Sequence, residues 1–346
     1  MAQEPLAWRC ARCGGVIEVT SAPADPLISD GQGVWRYRGW LPVDTPISLG
    51  EPTTPLLRQT WHGLDVGFKL EGALPTGSFK DRGVAVLASW LVQHGARAAV
   101  IDSSGNAGAS LAAYCARAGL ACHVFAPQSA SPGKLRQIAA YGAELHSIAG
   151  SRQDVSDAAL AHALATGDVY ASHAWNPLFL AGTQTFAYEA WEQLGGTAPD
   201  AVVLPVGAGT LLLGIIRGYA ALHTAGLIDR IPRVYGIQST ACAPLVTDTT
   251  EPAPVTVGDT AAEGIRIARP PRGRSILSSV RDTGGQIIAV DDEALWRAHD
   301  ELRLSGIYVE PTSAIAVAGL ASLTNQLTPG TTVLVPITAT GLKSPA

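Results

Sequence analysis

The 346 residues carry a net charge of −5, with 15% charged and 47% apolar side chains, enough for a sizeable core and without the basic run that marks a nucleic-acid footprint. The longest apolar stretch, residues 201–216, is broken by Pro205, Gly207, Gly209 and Gly214, and residues 1–8 lack a basic-then-apolar leader pattern. A cytoplasmic protein that acts on a small molecule, with neither nucleic acid nor membrane as partner, is expected. The five cysteines, an odd number, argue against a disulfide framework.

The first fifty residues read as an arm. Cys10-x-x-Cys13 with Gly14-Gly15 is half of a zinc ribbon whose other half is missing. Cys115, Cys122 and Cys242 complete no four-ligand set, the eight histidines form no pairs at helical spacing with carboxylates, and no metal is expected. Residues 23–55 are rich in proline, glycine and aromatics, and Trp35-Arg36-Tyr37-Arg38-Gly39-Trp40 alternates as a strand covering a core does.

Residues 66–70 read as a strand and residues 84–93 as a helix with Lys80 in its first turn. The turn between them, Pro75-Thr76-Gly77-Ser78-Phe79-Lys80-Asp81-Arg82-Gly83, holds Ser78 as a possible cap. Phe79 and the aliphatic helix would shield Lys80 from water and favour the free amine that a Schiff base requires. Strands at 98–102, 121–126, 144–148 and 169–171 then alternate with helices at 107–118, 132–141, 153–165 and 179–194. Further strands at 201–205, 233–238, 286–290 and 331–337 alternate with helices at 211–223, 291–305 and 311–323. Such alternation means parallel sheet covered by helices, an α/β protein of two lobes with a cleft. Residues 246–280 lapse into proline, glycine and arginine, an excursion typical of a functional flap.

Two further strand-to-helix turns are rich in small residues. Ser103-Ser104-Gly105-Asn106-Ala107-Gly108 and Val206-Gly207-Ala208-Gly209-Thr210 both present backbone amides at a helix start, where a carboxylate or phosphate is favoured. A lysine and two anion cradles suit an aldehyde cofactor with a phosphate tail and a substrate with a carboxylate.

Together with Glu310-Pro311-Thr312-Ser313-Ala314, Thr338-x-x-Gly341-Leu342-Lys343, Thr54-Pro55-Leu56 and the CxxC start, these motifs resemble threonine synthase and its relatives over nearly the whole chain. The resemblance implies the tryptophan synthase β-type fold of pyridoxal 5'-phosphate enzymes, a lyase reaction of amino-acid metabolism, and a homodimer contacting through residues 35–40. It implies that residues 51–95 and 185–346 form a larger lobe holding the cofactor phosphate, and residues 96–184 a smaller one. Lys80 would bind the cofactor aldehyde and shuttle protons. Phe79 would flank the ring and Asn106 bond its hydroxyl. Ser104, Gly105, Asn106 and Ala107 would take the substrate carboxylate, Val206 to Thr210 (through Gly207, Ala208 and Gly209) the cofactor phosphate, and Thr338 the pyridine nitrogen. Asn176 and Phe179 would face substrate, with His173 nearby. In threonine synthase the substrate is O-phosphohomoserine, whose phosphate calls for an arginine. Here Asn176-Pro177-Leu178-Phe179 carries phenylalanine where the family has arginine, so that Arg152, Arg266, Arg269, Arg272 or Arg274 would have to serve. The alternatives are β-elimination or β-replacement on an unphosphorylated serine- or threonine-like amino acid, or a cofactor-binding protein without catalysis.

Overall fold

The computed structural model describes residues 4–19, 27–130, 132–324, 326–328 and 330–343; the parts of the arm at 1–3 and 20–26 lie outside them. In chain order the first elements are β1 (Leu56–Trp61), β2 (Leu64–Leu70), α1 (Lys80–Gln93), β3 (Ala98–Ile101), α2 (Asn106–Ala118), β4 (Ala121–Pro127), α3 (Pro132–Ala140), β5 (Glu144–Ile148), α4 (Arg152–Thr166) and β6 (Val169–Tyr170). Then come α5 (Pro177–Thr183), α6 (Thr185–Gln193), β7 (Ala201–Pro205), α7 (Thr210–Thr224), β8 (Arg233–Ser239), α8 (Gly273–Asp282), β9 (Ile287–Val290), α9 (Asp292–Leu304), α10 (Pro311–Leu323) and β10 (Thr332–Ile337).

The chain divides into two compact units. One comprises Leu74–Thr183 with the described residues up to Pro52, and the other Thr53–Ala73 with the described residues from Gln184 onward. Residues 74–95, grouped by sequence with the larger lobe, belong to the first unit. The reason is packing: α1 lies on α2 and α5, and a Cβ on Gly182 of α5 would stand 2.0 Å from the carbonyl oxygen of Arg82.

The first unit is built on a parallel sheet in the order β5-β4-β3-β6. All four residues of β3 are buried, because parallel strands are covered on both faces. Alternation sorts the faces. Ala99, Ile101, Cys122 and Val124 join the apolar cluster of α1, α2 and α5, while Val100, Phe125 and Tyr170 meet Val155, Ala159 and Ala163 of α4. Residues Gly33–Trp40 form 3-10 turns rather than a strand, and Val34, Trp35, Tyr37 and Trp40 are buried. Val34 and Trp35 join the cluster around α1 and α2, so these aromatics are spent within the chain's own core.

The second unit holds a six-stranded sheet, order β1-β2-β10-β7-β8-β9, in which only the β1–β2 hairpin is antiparallel. Residues of β2, β7, β8 and β10 form one apolar cluster with α9 and α10. Near the end of β2, Lys69 is fully buried. Its Nζ donates to the carbonyl and hydroxyl of Thr54 and meets Glu189 Oε1 at 2.5 Å, with Glu189 itself 1% exposed.

Three local expectations are corrected. The single helix at 179–194 is interrupted at Gln184, where the units divide. The flap contains α8, whose Ile276, Leu277 and Val280 are buried on one face; the prolines and arginines around it mask the helical spacing. The strand β1 escaped notice because its burial is only partial, leaving no apolar run.

Candidate active-site loops

Lys80 opens α1, and the turn before it is held by Asp81. The Asp81 carboxylate accepts from the Thr76 amide (2.7 Å), the Thr76 hydroxyl (2.6 Å) and the Ser110 hydroxyl of α2 (2.6 Å). One buried carboxylate thereby staples the lysine loop to the helix that follows the 103–108 loop. Gly77 takes φ +83°, a left-handed value that favours glycine. Ser78 does not cap the helix: the cap position is Phe79, without a side-chain bond, and the Ser78 hydroxyl is buried with no hydrogen-bond partner among the described residues.

The half-buried Lys80 ammonium lies 4.6 Å from the ring centroid of Phe79 and 5.6 Å from that of Phe179, within cation–π range. Phe179 is completely buried, and a Cβ on Gly83 would stand 2.5 Å from its ring, so it packs as core beside the lysine. The His173 ring meets Phe179 edge-on at 5.7 Å. Burial, followed by the charges of Lys80 and Arg152, pushes the His173 pKa far below the ordinary imidazole value, and its Nδ1 has no hydrogen-bond partner among the described residues. Asn176 is buried and its Oδ1 accepts from the Leu178 amide at 3.0 Å, which makes it the opening bond of α5.

The 103–108 loop leaves the carboxyl end of β3. Gly105 caps α2, Ser104, Gly105 and Asn106 are half-buried, and Ala107 is buried. At Gly108 a Cβ would stand 1.9 Å from the Ser103 carbonyl oxygen, so glycine is needed for the loop to fold over its own helix. Preceding it, buried Asp102 accepts from Arg152 Nη2 at 2.9 Å and from the Ser156 hydroxyl. The Arg152 side chain remains 58% exposed, leaving part of its donor fork available.

In the second unit, the loop of Val206, Gly207, Ala208, Gly209 and Thr210 leaves the carboxyl end of β7. The Val206 amide bonds Ile237 and its carbonyl accepts from Gln238 Nε2 at 3.1 Å, while Gly209, at φ +74°, caps the 15-residue α7. The amides of that first turn are donors of the kind that suits an anion. The flap closes over the turn: Cβ atoms on Gly207 and Gly209 would stand 2.8 Å from Ile265 and 2.2 Å from Ile276. Thr338 follows β10, a neighbour of β7, and its buried hydroxyl lies 2.8 Å from that of Ser313 in the first turn of α10. Ser313 Oγ also accepts from the Ala339 amide at 3.2 Å. Sequence reasoning named Thr338 and passed over Ser313, although its motif was in view.

Near the amino end, the Arg9–Val16 bridge and the Cys10–Gly15 and Gly14–Cys10 backbone bonds fold the CxxC into a tight knuckle. Hydrogen bonds from the Cys13 and Arg12 backbone lower the Cys10 pKa. Among the described residues no third ligand joins the pair.

Taken each by itself, the first unit offers a half-buried lysine with an unpartnered Ser78 hydroxyl and a histidine of lowered pKa nearby, and the second a helix-start turn of small residues and a buried hydroxyl pair, features of the kind an aldehyde cofactor with a phosphate calls for. The model of the pyridoxal-phosphate dependent enzymes matches residues 47–339. The chain belongs to that family. Its relatives include threonine synthase of Mycobacterium tuberculosis, 38% identical over 89% of this chain and 88% of that one, and threonine synthase of Methanocaldococcus jannaschii, 35% identical over 93% and 85%. Among solved structures it is similar to a threonine deaminase of T.th., with 26% identity, a TM-score of 0.72, and coverage of 83% and 92%. It is also similar in fold to the processed threonine deaminase isoform 2 of Solanum lycopersicum, with 19% identity, a TM-score of 0.72, and coverage of 94% and 95%. The protein is a pyridoxal-phosphate-dependent lyase of the threonine synthase family with the type II fold.

Proposed function

We propose that this enzyme converts O-phosphohomoserine and water to threonine and inorganic phosphate. The observation that carries the reading is the identity with threonine synthases along nearly nine-tenths of the chain. Bound pyridoxal phosphate supplies an electron sink for negative charge at the substrate Cα. Lys80 is the residue that would hold the cofactor aldehyde. Gly207, Ala208, Gly209 and Thr210, with Val206, would cradle its phosphate, Asn106 its ring hydroxyl and Thr338 its ring nitrogen, with Phe79 against the ring. The amides of residues 104–107 would hold the substrate carboxylate.

Lys80 Nζ is the proton carrier of the proposal. It takes protons from Cα and then Cβ; phosphate leaves Cγ, the two protons are returned to Cγ and Cα, and water adds its hydroxyl at Cβ while its other proton goes to the released phosphate. His173, its pKa held far below the ordinary value, would not serve as an imidazolium acid and would act by shape and through its Nδ1, which has no hydrogen-bond partner among the described residues. For the substrate phosphate we favour Arg152. Of the five arginines considered, it alone belongs to the unit that carries Lys80; its Nη1 and Nη2 bond the Asp102 carbonyl and carboxylate, and its side chain, 58% exposed, stands at the end of β3 beside the 103–108 loop. By resemblance to the family, the enzyme would work as a homodimer in the cytoplasm.

A second reading draws on the burial of Phe179 where the family arginine is expected. An apolar wall 5.6 Å from the lysine suits a substrate without a phosphate, and β-elimination on serine or threonine would release a 2-oxo acid and ammonia. The assay is phosphate and threonine release from O-phosphohomoserine. Equal yields that vanish in Lys80→Ala, with KM raised at least about tenfold in Arg152→Met, are expected. Neither product, together with ammonia release from threonine, would replace the first reading by the second.

A further inference from the structure

Three histidines and two carboxylates gather in the first unit at the amino ends of its strands, the opposite end of the sheet from the 103–108 loop. Their spacing escaped the sequence because they come from separate elements. His123 lies on β4, Glu144 and His146 on β5, and His162 on α4, with Asp168 after that helix. The strand register pairs His123 with Glu144 and Phe125 with His146, which places both histidines on the face that α4 covers.

We propose that His123 Nδ1, His146 Nε2 and the Glu144 carboxylate bind one divalent transition-metal ion of the zinc class. A tetrahedral ion with bonds of about 2.0–2.1 Å holds neighbouring donors about 3.3–3.4 Å apart. His123 Nδ1 is 3.3 Å from His146 Nε2 and 3.4 Å from Glu144 Oε2, and His146 Nε2 is 3.5 Å from Glu144 Oε1. The two imidazole nitrogens therefore stand at that spacing, with one oxygen of the Glu144 carboxylate beside each of them. Two imidazoles with one carboxylate select zinc-like ions over magnesium or calcium, which take oxygen ligands.

The surroundings match those of a ligating imidazole. A metal-bound histidine directs its other N–H at a carboxylate, and the carboxylate near His123 Nε2 is that of Asp168, whose Oδ2 is 3.9 Å away, an ion-pair distance. Asp168 is itself held by the Thr166 hydroxyl at 2.7 Å and faces His162 Nε2 at 3.5 Å, a buried nitrogen with no hydrogen bond among the described residues. The Phe125 ring stacks on His146 at 4.3 Å and fixes its plane. Glu144 is 65% exposed, so an ion enters from solvent and keeps water in its fourth position. Bound there, it clips the edge strand β5 to β4, away from the loops that carry Lys80 and Asn106.

The test is calorimetric titration of Zn²⁺ into the pyridoxal-phosphate-loaded protein carrying Cys10→Ser and Cys13→Ser, so that the CxxC does not compete. One ion per chain is expected, with affinity lowered at least about tenfold in His146→Ala and in Glu144→Gln and changed less than about threefold in His162→Ala. Glu144 is exposed, so its variant folds even if a histidine variant does not. Absence of binding, or binding that survives Glu144→Gln, reduces the cluster to a hydrogen-bonded pair and overturns the proposal. Loss in His162→Ala with retention in His146→Ala overturns it too, by moving the ion to His123, His162 and Asp168.

Discussion

Lys69 and Lys80 stand close in sequence and in opposite circumstances. Lys69 is sealed in the second unit, with its charge matched by Glu189 and its protons taken up by Thr54. Lys80 is half-buried, faces two aromatic rings, and neighbours a histidine that burial keeps uncharged. Burial alone does not mark a reactive lysine. What is seen at the two differs: Lys69 is closed in against a buried carboxylate, and Lys80 lies half-buried within cation–π range of two aromatic faces.

The largest expected effect breaks the contrast at Lys69. Lys69→Met strands the buried Glu189 charge and should cost about 3–5 kcal/mol, read from denaturation midpoints, while folded protein retains its turnover. Lys69→Met with Glu189→Leu should recover most of the loss; a single variant within about 1 kcal/mol of wild type would show the pair to be unimportant. Lys80→Ala should behave in reverse, losing turnover at nearly unchanged stability.

Gly182→Ala comes next. The new methyl meets the Arg82 carbonyl and pushes α5, with Phe179, away from the lysine helix. A loss of about 1–3 kcal/mol together with reduced turnover is expected, and normal turnover would mean that Phe179 has no part in placing Lys80.

The smallest effect is a slope. His173 has a folded pKa far below its ordinary value near 6.5, so below about pH 6.5 the unfolded chain binds a proton that the folded chain refuses. Stability is full above that pH and falls as the pH drops, by at most about 1.4 kcal/mol per unit from this residue. His146, whose pKa burial also lowers, acts in the same direction. In His173→Leu the slope of stability between about pH 6.5 and 5 should flatten by roughly that amount; an unchanged slope would place a proton on His173 in the folded protein.

The sequence revealed the alternation of strands and helices because each parallel strand is a short apolar run, as in residues 98–101 and 201–205, bounded by glycine or polar turns. The glycine loops were readable for the same reason: their small residues sit where a strand gives way to a helix. What it concealed came from packing between distant segments. Asn176 carries a side chain suited to substrate, and its Oδ1 also starts α5 by accepting from the Leu178 amide. Ser78 has a capping residue's chemistry and does not cap, because the Thr76–Asp81 bonds already define the turn. The 33–40 aromatics alternate like a strand yet coil into 3-10 turns, since Trp35, Tyr37 and Trp40 are all drawn inward. The histidine cluster was invisible because strand register, not spacing along one helix, assembles it.

Among the described residues the β1–β2 hairpin finds its one parallel partner in β10, where Asp65 lies opposite Thr332, 267 residues later. During synthesis the hairpin emerges early and β10 after every other strand of that sheet. For most of translation the carboxyl-terminal half of the sheet does not exist, and the β2 edge stands open to any extended segment that meets it.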